Sequence, residues 1–581
     1  MRSREAAQFV LRHLFKAGFL LAAVAMEPAQ AQGFTPSDPF SGRQIEAVRV
    51  QLLGASPDNG LNERVLGNVR RLLGLLPGDS FSPERVGFAL AQARRAGDVG
   101  KLDYDVQPGA RGGVEVVISV TLRPDAAAGQ PRGELATGSG FPRLHDSGDL
   151  LLNAEISALA LTYANNNAWF SRPDLMVAGN PLVTGKPAGR GLDVWGEGYV
   201  ELGVNGIARL SESVWAYGAL SNMITASAGR ELFSSKTRVH NDIEKAYAGM
   251  IVGKTTSRGD RIALNLSAGR QRFTLANAFL IANTASNGGE RGALQSNARW
   301  AADLLVNGQF IYNNLKIEAF LVDPDELPIL DTCTRIVGAS IEYRPAPGLM
   351  VAGSWIKVPR STFGYFGPTG QVGTRDGLRL WDARFTWSPA PPGRAGPFFG
   401  GEYARQSNRN FPMRATAGYA EVGYAWPKPK WSPTLSYRWA KFSGDDPGTA
   451  RYERWDPLLS GGSGEQWVQG ANLVKVVQNG NNVAHKVQLR VTPERRWELV
   501  SQFWNISFAS KANVGGNPAL QFVSAKIIGD ELVFIVKHYP NRHLFMYGQV
   551  AFTKPSSAIR EALSGTERSW SSASFFLRYS F

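Results

Sequence analysis

The last residues of the chain alternate between apolar and largely polar side chains. Phe575, Leu577, Tyr579 and Phe581 fall on one face of an extended segment, while the other face is mostly serine and arginine. An aromatic-rich outer face and a polar inner face are typical of a barrel strand with lipid outside and water inside. A half-buried strand in a soluble protein would show a similar alternation, so the rest of the chain has to separate these alternatives.

The same alternation recurs across residues 149–581, in segments separated by loops rich in Gly, Pro, Asn and Asp. In Leu192–Val204 one face is apolar and the other polar, and Asn205-Gly206 is predicted to form a two-residue hairpin turn. At roughly 24 residues for a strand and its connection, about 430 residues predict ~16–18 strands, enough to enclose a lumen. Other apolar faces with polar residues between them are Ile262/Leu264/Leu266, Leu315/Ile317/Ala319/Leu321, Trp381/Ala383/Phe385/Trp387 and Val487/Leu489/Val491.

The N-terminus has the pattern of an export signal. Basic residues precede the apolar run 17–26, and Ala29-Gln30-Ala31 follows as a small-residue cleavage site. Residues 1–31 are therefore predicted to be a signal peptide. The run is shorter than the roughly 18 apolar residues that a spanning helix needs, and no other stretch is long and apolar enough. Because backbone groups in lipid must be paired within helices or closed sheets, the alternating segments predict a barrel.

Residues 45–122 predict a small α/β domain, and residues 123–148, rich in Ala, Gly and Pro, predict a linker to the barrel. The predicted elements are a strand at Ile45–Leu53, a helix at Leu61–Leu76, a second helix opened by Ser82-Pro83-Glu84, and a hairpin of Lys101–Val106 with Val114–Leu122.

The order strand, helix, helix, strand, strand, with Leu76-Pro77-Gly78-Asp79-Ser80-Phe81 between the helices, resembles a polypeptide-transport-associated (POTRA) domain. The resemblance implies that residues 45–122 lie in the periplasm ahead of the barrel. It also implies that a sheet edge contacts the substrate or a periplasmic or inner-membrane synthesis partner. A generic α/β module is the alternative.

Charge and motifs narrow the function. The chain carries a formal net charge of +14, and loss of residues 1–31 leaves about +12. Export and the lack of a Lys/Arg run argue against nucleic acid and favour an acidic substrate or contacts with outer-membrane lipid. No enzyme motif is present, and Asp445-Asp446 lacks the alternating ligands of a Ca²⁺ loop. We therefore expect no enzyme activity, cofactor or metal site, and the single Cys333 excludes an intrachain disulfide.

If the apolar faces point to lipid, a set of basic residues points into the lumen. Acidic residues point inward as well, among them Glu197, Glu201, Glu318, Glu342 and Asp382. Each basic residue could pair with a neighbouring carboxylate, but as a set they would lower the barrier for an anionic chain. The predicted pore-lining basic residues are Lys316, Arg344, Arg384, Arg438, Lys486, Arg490 and Arg578.

Several segments resemble the alginate-export family of outer-membrane channels. The resemblance implies an 18-stranded barrel that releases an anionic exopolysaccharide. Separately, the terminal Phe581 resembles the assembly signal of bacterial outer-membrane barrels, which implies recognition by the barrel-assembly machinery. The chain departs from the family at Trp455, where Phe is typical, and in its N-terminal domain. The residues that carry the resemblance are Gly269, Arg270, Gln271, Ser443, Gly444, Asp445, Asp456, Pro457, Leu458, Asn472 and Leu473.

The sequence thus predicts a mainly β protein of the bacterial outer membrane. A periplasmic POTRA-like domain precedes an antiparallel transmembrane barrel that exports an anionic polysaccharide. A POTRA-barrel protein-secretion transporter is one alternative, although its Val-Arg-Gly-Tyr/Phe motif is absent. A general anion-preferring porin is another, although a passive porin needs no docking domain. A barrel enzyme would need a nucleophile–base pair, and none is found.

Overall fold

The computed structural model describes most of the chain from residue 40 to residue 580. The predicted signal peptide 1–31, the predicted linker except for 143–146, and Phe581 lie outside the described residues. The described residues are 40, 43–54, 59–79, 81, 86, 87, 89, 90, 93, 99–109, 112–122, 143–146, 149–168, 192–211, 213–229, 237–256, 260–391, 394–426, 431–460, 467, 469–494, 496–516, 520–540, 543–562 and 568–580.

The N-terminal domain contains a three-stranded sheet. Its elements are β1 (Ile45–Leu52), α1 (Asn59–Leu73), β2 (Val99–Pro108) and β3 (Val114–Leu122), and residues 86, 87, 89, 90 and 93 are also helical. The sheet order is β1-β3-β2, with β1 parallel and β2 antiparallel to β3. One stripe of α1, including Val65 and Val69, is buried. The helix ends ahead of Gly74, whose φ of 65° suits glycine.

Eighteen strands of the described chain, β5–β13 and β16–β24, form a closed antiparallel barrel, in which β24 pairs with β5. A short strand β4 (Arg143–Asp146) also pairs with β5, and β14 (Gly364–Gly367) with β15 (Gly370–Thr374) forms a separate hairpin. The barrel strands are β5 (Leu150–Asn166), β6 (Leu192–Arg209), β7 (Val214–Gly229), β8 (Arg238–Thr255), β9 (Arg261–Arg270), β10 (Leu304–Tyr312), β11 (Leu315–Asp323), β12 (Arg335–Ala346), β13 (Leu349–Arg360), β16 (Leu378–Trp387), β17 (Gly396–Asn408), β18 (Ala415–Ala425), β19 (Thr434–Phe442), β20 (Asn482–Val491), β21 (Trp497–Phe508), β22 (Ile527–His538), β23 (Leu544–Pro555) and β24 (Trp570–Ser580).

The two faces of the barrel wall differ as the alternation predicts. Along β16, Trp381 and Phe385 are exposed on the outer surface, whereas Asp382 and Arg384 between them are buried. Exposed Leu, Val, Ile, Phe and Trp side chains recur on strand after strand around the outside. An apolar outer band with charged residues inside is the arrangement expected when lipid surrounds the barrel. Among the helices of the described residues, none is long and apolar enough to cross a membrane.

The predicted hairpin turn at Asn205-Gly206 is wrong. Strand β6 continues to Arg209, and Asn205 pairs with Asn153 on β5 and with Ala219 on β7. The Nδ2 of Asn153 donates to the Oδ1 of Asn205 at 3.1 Å. The side chain of Leu152 packs over Gly206, because a Cβ at that position would lie 2.5 Å from one of its methyl carbons. The connection to β7 follows at residues 210–213.

The connections at the two ends of the barrel differ in length. Short turns such as 313–314 and 347–348 occur at the end where β5 begins, and long loops occur at the other end. Two long-loop segments are largely buried over their described residues. We call residues 271–303 the first inward segment, and residues 452–460, 467 and 469–481 the second inward segment. They meet where Phe279 of the first packs against Trp467 of the second, with ring centroids 4.6 Å apart. The second contains the short helix α2 (Val474–Val477), and α3 (Ser557–Ala562) lies in a later loop.

Candidate channel lumen

All seven predicted pore-lining basic residues lie on the inner face of the wall, and five of them pair with carboxylates. These five contribute less free charge to the lumen than the sequence suggests, since each is at least partly neutralised. Aromatic rings also contact this set: Arg438 lies 4.3 Å from the centroid of Trp467, and Arg578 lies 5.7 Å from that of Phe545. The five pairs are Lys316–Glu318 at 3.2 Å, Arg344–Glu342 at 3.4 Å, Arg384–Asp382 at 2.8 Å, Lys486–Glu421 at 4.0 Å and Arg490–Glu498 at 2.7 Å.

Arg384 shows how firmly such a pair is held. Its Nη1 donates to Asp382 at 2.8 Å and to the Ser354 hydroxyl at 2.7 Å, and its Nη2 donates to the Ser340 hydroxyl at 2.7 Å. These partners lie on β16, β13 and β12, so the guanidinium ties three neighbouring strands together. Arg384 therefore stabilises the wall, and we expect it to contribute little to attracting a solute.

On another part of the wall two basic side chains lie side by side, in a row that runs from Glu421 through Trp504 to Glu531. Arg438 on β19 lies directly opposite Lys486 on β20, and Glu421 lies opposite Arg438 on β18. Two basic side chains thus share this one acidic neighbour in the row. Trp504 continues the row on β21, with the Lys486 Nζ 5.7 Å from its ring centroid. We call Arg438 and Lys486 the basic row.

The inward segments reach the wall at this basic row. Trp467 of the second inward segment packs against Arg438 and lies 4.5 Å from the ring of Tyr419 on the wall. Phe279 of the first packs against Trp467 and also lies 5.6 Å from Tyr419. Aromatic rings and basic side chains therefore meet at one level of the lumen. The sequence analysis missed Phe279 and Trp467, because nothing local indicates that their loops fold inward.

Wall glutamates hold the first inward segment through its backbone. Glu197 accepts hydrogen bonds from the backbone N–H of Gln295 at 2.9 Å and of Ser296 at 2.8 Å. Glu244 accepts from the N–H of Trp300 at 3.0 Å and of Ala301 at 3.2 Å. Such bonds satisfy buried donors and compensate the buried carboxylates. Glu197 thus lies on the inner wall, as predicted, but it anchors a loop.

The second inward segment is held in the same way by Glu531 on β22, which the sequence analysis also missed. This fully buried carboxylate accepts from the backbone N–H of Ala471, and from those of Asn472 and Leu473 at 3.0 Å each. The Thr553 hydroxyl donates to it at 2.8 Å. In the sequence, the only indication of this role is that Glu531 is a charged residue at an inward-facing position of β22.

Lys475 lies deep in the second inward segment. Its Nζ contacts the hydroxyl of Tyr163 and lies 5.4 Å from the ring centroid of Trp570. Burial lowers the pKa of Lys475 to about 7, although the nearby Glu531 acts in the opposite direction. A buried amine that titrates near neutrality makes this segment sensitive to pH.

The family-motif residues Gly269, Arg270 and Gln271 lie where the first inward segment leaves β9. Gly269 has a φ of 128°, and a Cβ there would lie 2.4 Å from the carbonyl oxygen of Ala246. Arg270 forms ion pairs with Asp303 and Asp325, and Gln271 donates to the carbonyl of Leu305 at 3.3 Å. These residues fix the two ends of the segment to each other.

Asp325, in the loop after β11, is the centre of an arginine cluster. Arg291 approaches it at 2.6 Å and Arg299 at 3.2 Å, in addition to Arg270. Burial alone would raise the pKa of Asp325, but the three guanidinium groups outweigh it and hold the pKa below its usual value. The cluster connects the first inward segment to a second long loop.

The motif residues Ser443, Gly444 and Asp445 shape the loop that follows β19. The Ser443 hydroxyl donates to the carbonyl of Glu453 at 2.6 Å, and Asp445 accepts from the Glu453 N–H at 2.8 Å. A Cβ on Gly444 would lie 2.0 Å from the Asn481 side-chain oxygen, so only glycine fits. The neighbouring Asp446 accepts from the Gly448 N–H at 2.9 Å.

The motif Asp456-Pro457-Leu458 anchors the start of the second inward segment. Arg375 donates to both carboxylate oxygens of Asp456, at 2.7 and 2.8 Å, and the Tyr365 hydroxyl donates at 2.5 Å. Burial would raise the pKa of Asp456, but Arg375 and these hydrogen bonds lower it below its usual value. Asp456 also accepts from the Leu458 N–H at 2.8 Å.

Asn472 and Leu473 anchor the other end of this segment, beside Glu531. The Asn472 side chain donates to the Thr553 hydroxyl at 2.9 Å and accepts from the Ser572 hydroxyl at 2.7 Å. Leu473 is fully buried. The motif residues are thus loop anchors, which is a structural role and does not by itself identify a substrate.

The N-terminal domain contacts the wall at the short-turn end of the barrel. Arg43 pairs with Glu498 at 2.8 Å, and Asp79 pairs with Arg344 at 3.1 Å. Arg490 donates to the carbonyl of Gly112 at 3.4 Å. Arg344 and Arg490, predicted to line an open pore, therefore contact the domain.

The terminal strand β24 completes the barrel by pairing with β23 and β5. Phe575, Leu577 and Tyr579 are exposed on the outer surface, whereas Arg578 is buried inside. The predicted alternation of this strand is confirmed over its described residues.

Comparison with known proteins gives similarity at the level of solved structures. No family model matches the chain, and no curated protein matches it. The chain is similar to Pseudomonas aeruginosa OccK7 (OpdD), with 9% identity, 74% of this chain and 98% of that chain covered, and a TM-score of 0.44. Acinetobacter baumannii OccAB3 has 9% identity, with 74% of this chain and 99% of that chain covered and a TM-score of 0.45. The P. aeruginosa outer membrane protein OprD has 10% identity, with 74% of this chain and 94% of that chain covered and a TM-score of 0.41. The alginate-export and POTRA resemblances stay predictions.

Proposed function

We propose that the protein is a bacterial outer-membrane channel through which small anionic solutes diffuse. The observation that carries this proposal is the contrast between the two faces of a closed 18-strand barrel. Large apolar side chains such as Trp381 and Phe385 are exposed outside, while charged ones such as Asp382 and Arg384 are buried inside. Lipid outside and a polar lumen inside would satisfy both faces.

The inward segments favour a small solute over a large one, because they narrow the inside of the barrel. A barrel of 16–18 strands is wide enough for an aqueous channel when nothing fills it. Here Phe279 and Trp467 meet inside the wall, so they narrow the passage beside the basic row. Arg438 and Lys486 share Glu421 as their acidic neighbour in that row, which favours an anion passing at this level.

Swelling of proteoliposomes tests this function. Glucuronate should enter faster than glucose, since the two differ mainly in charge, and Arg438→Glu with Lys486→Glu should remove the difference. The control is Arg379→Glu, which reverses the charge of one basic residue on the outer surface. Equal rates for both sugars in the wild-type protein would contradict an anion preference, and no swelling at all would contradict a channel.

Export of an anionic polysaccharide is the second candidate, and the contact between the N-terminal domain and the barrel mouth favours it. Strand β2 is at an edge of its three-stranded sheet, so a synthesis partner could pair with it. Deletion of the gene should then reduce secreted polymer, and crosslinking through residues 99–108 should recover a periplasmic or inner-membrane protein. Normal secretion with no crosslinked partner would leave the diffusion channel as the function.

A further inference from the structure

The N-terminal domain contacts the barrel at two nearly opposite places. Asp79 and Gly78 contact Arg344 on β12, and Phe40 stacks on Tyr539, in the turn after β22, at 4.6 Å. Strands β12 and β22 are eight strands apart in one direction around the barrel and ten in the other. A compact domain that contacts both sides must extend across the opening between them.

The N-terminal domain also contacts the barrel at positions between these two places. Arg43 donates to Glu498 at 2.8 Å, and Glu498 also pairs with Arg490 at 2.7 Å and with Lys537 at 3.3 Å. A Cβ on Gly112 would lie 3.1 Å from the guanidinium carbon of Arg490. The loops of the domain therefore press directly on side chains of the inner wall.

We infer that residues 40–122 form a releasable lid over the periplasmic mouth of the channel, latched by Arg43–Glu498 and Asp79–Arg344. This inference rests on the proposed channel function. The latch is mainly ionic, and an ion pair gains little net free energy once the hydration of both charges has been lost. The described interface combines these ion pairs with the stacking of Phe40 on Tyr539, and domain interfaces that are not large and hydrophobic permit relative motion. The closed state can therefore open without unfolding the domain.

Arg43 is the best place to break the latch. It lies outside β1, and its described partners include Glu498 and the ring of Phe40, 5.4 Å away. Arg43→Glu would place two carboxylates together and should undock the lid, whereas Arg43→Lys keeps the positive charge. Arg64→Glu is the matched control, because Arg64 is exposed on α1 of the same domain.

Two measurements on the full chain, reconstituted in lipid, test the inference. Docking is measured as the distance between two spin labels, one on Gly67→Cys of the domain and one on Asn314→Cys of the barrel. A side chain at position 67 would meet nothing within 4 Å, and Asn314 is exposed. Cys333 is replaced by Ser so that only these two positions are labelled. Planar-bilayer recordings report the open fraction. Arg43→Glu should lengthen and broaden the label distance and raise the open fraction roughly ten- to hundredfold, the usual range for coupled equilibria. Arg43→Lys and Arg64→Glu should match the wild type.

The outcomes separate the lid from the channel. Unchanged distance and current in Arg43→Glu would overturn the latch. A longer distance with unchanged, measurable current would show that the domain does not obstruct the mouth, which overturns the lid. If no variant conducts although the labels separate, the channel function fails and the lid fails with it.

Discussion

The anchoring of the second inward segment by Glu531 gives the sharpest prediction about the lumen. Glu531→Ala removes the acceptor for the backbone N–H groups of Ala471, Asn472 and Leu473. A buried N–H without an acceptor costs about 1–3 kcal/mol, so three cost on the order of 3–9 kcal/mol unless water enters.

Hydrogen–deuterium exchange measures this loss directly. Since about 1.4 kcal/mol corresponds to a factor of ten, ~3 kcal/mol predicts that these three amides exchange at least about a hundredfold faster. The barrel should stay intact, so mobility in SDS before and after heating should not change. Glu561→Ala, on the exposed helix α3, is the control. Unchanged protection of the three amides in Glu531→Ala would refute the anchoring role.

Three further predictions concern assembly, selectivity and pH. Deletion of Phe581 should lower the amount of heat-modifiable barrel in the outer membrane, because the last strand closes the sheet; normal levels would be evidence against this role. Arg438→Glu with Lys486→Glu should shift the reversal potential toward cations, and less so at 1 M salt, where the Debye length is about 3 Å. Burial lowers the pKa of Lys475, so folding favours its neutral form. Stability relative to Lys475→Met should therefore fall as pH drops from about 10.5 to about 7 and stay level below that; parallel melting curves for the two proteins would contradict this.

The barrel and the orientation of its faces were predictable because they depend on a local period of two. Each of Trp381, Asp382, Phe385 and Arg384 takes its face from its neighbours in sequence, whatever the rest of the chain does. The Asn205-Gly206 turn shows the limit of local signals. Pairing of β6 with both neighbouring strands along its length outweighs the turn preference of that dipeptide.

The contents of the lumen could not be predicted because they depend on distant contacts. Glu197 holds Gln295, 98 residues away, and Arg43 pairs with Glu498, 455 residues away. Neither pair has a sequence pattern that would identify it. For the same reason, the basic residues were placed on the correct face, but the partners that neutralise most of them were not identified.

The selectivity of the reconstituted full-length protein tests the central claim most directly. Planar-bilayer recordings under a tenfold KCl gradient give a reversal potential whose sign reports the preferred ion. We expect discrete channel openings with a reversal potential displaced toward that of chloride. A reversal potential displaced toward that of potassium, or stably inserted protein that does not conduct even with Arg43→Glu, would contradict this expectation.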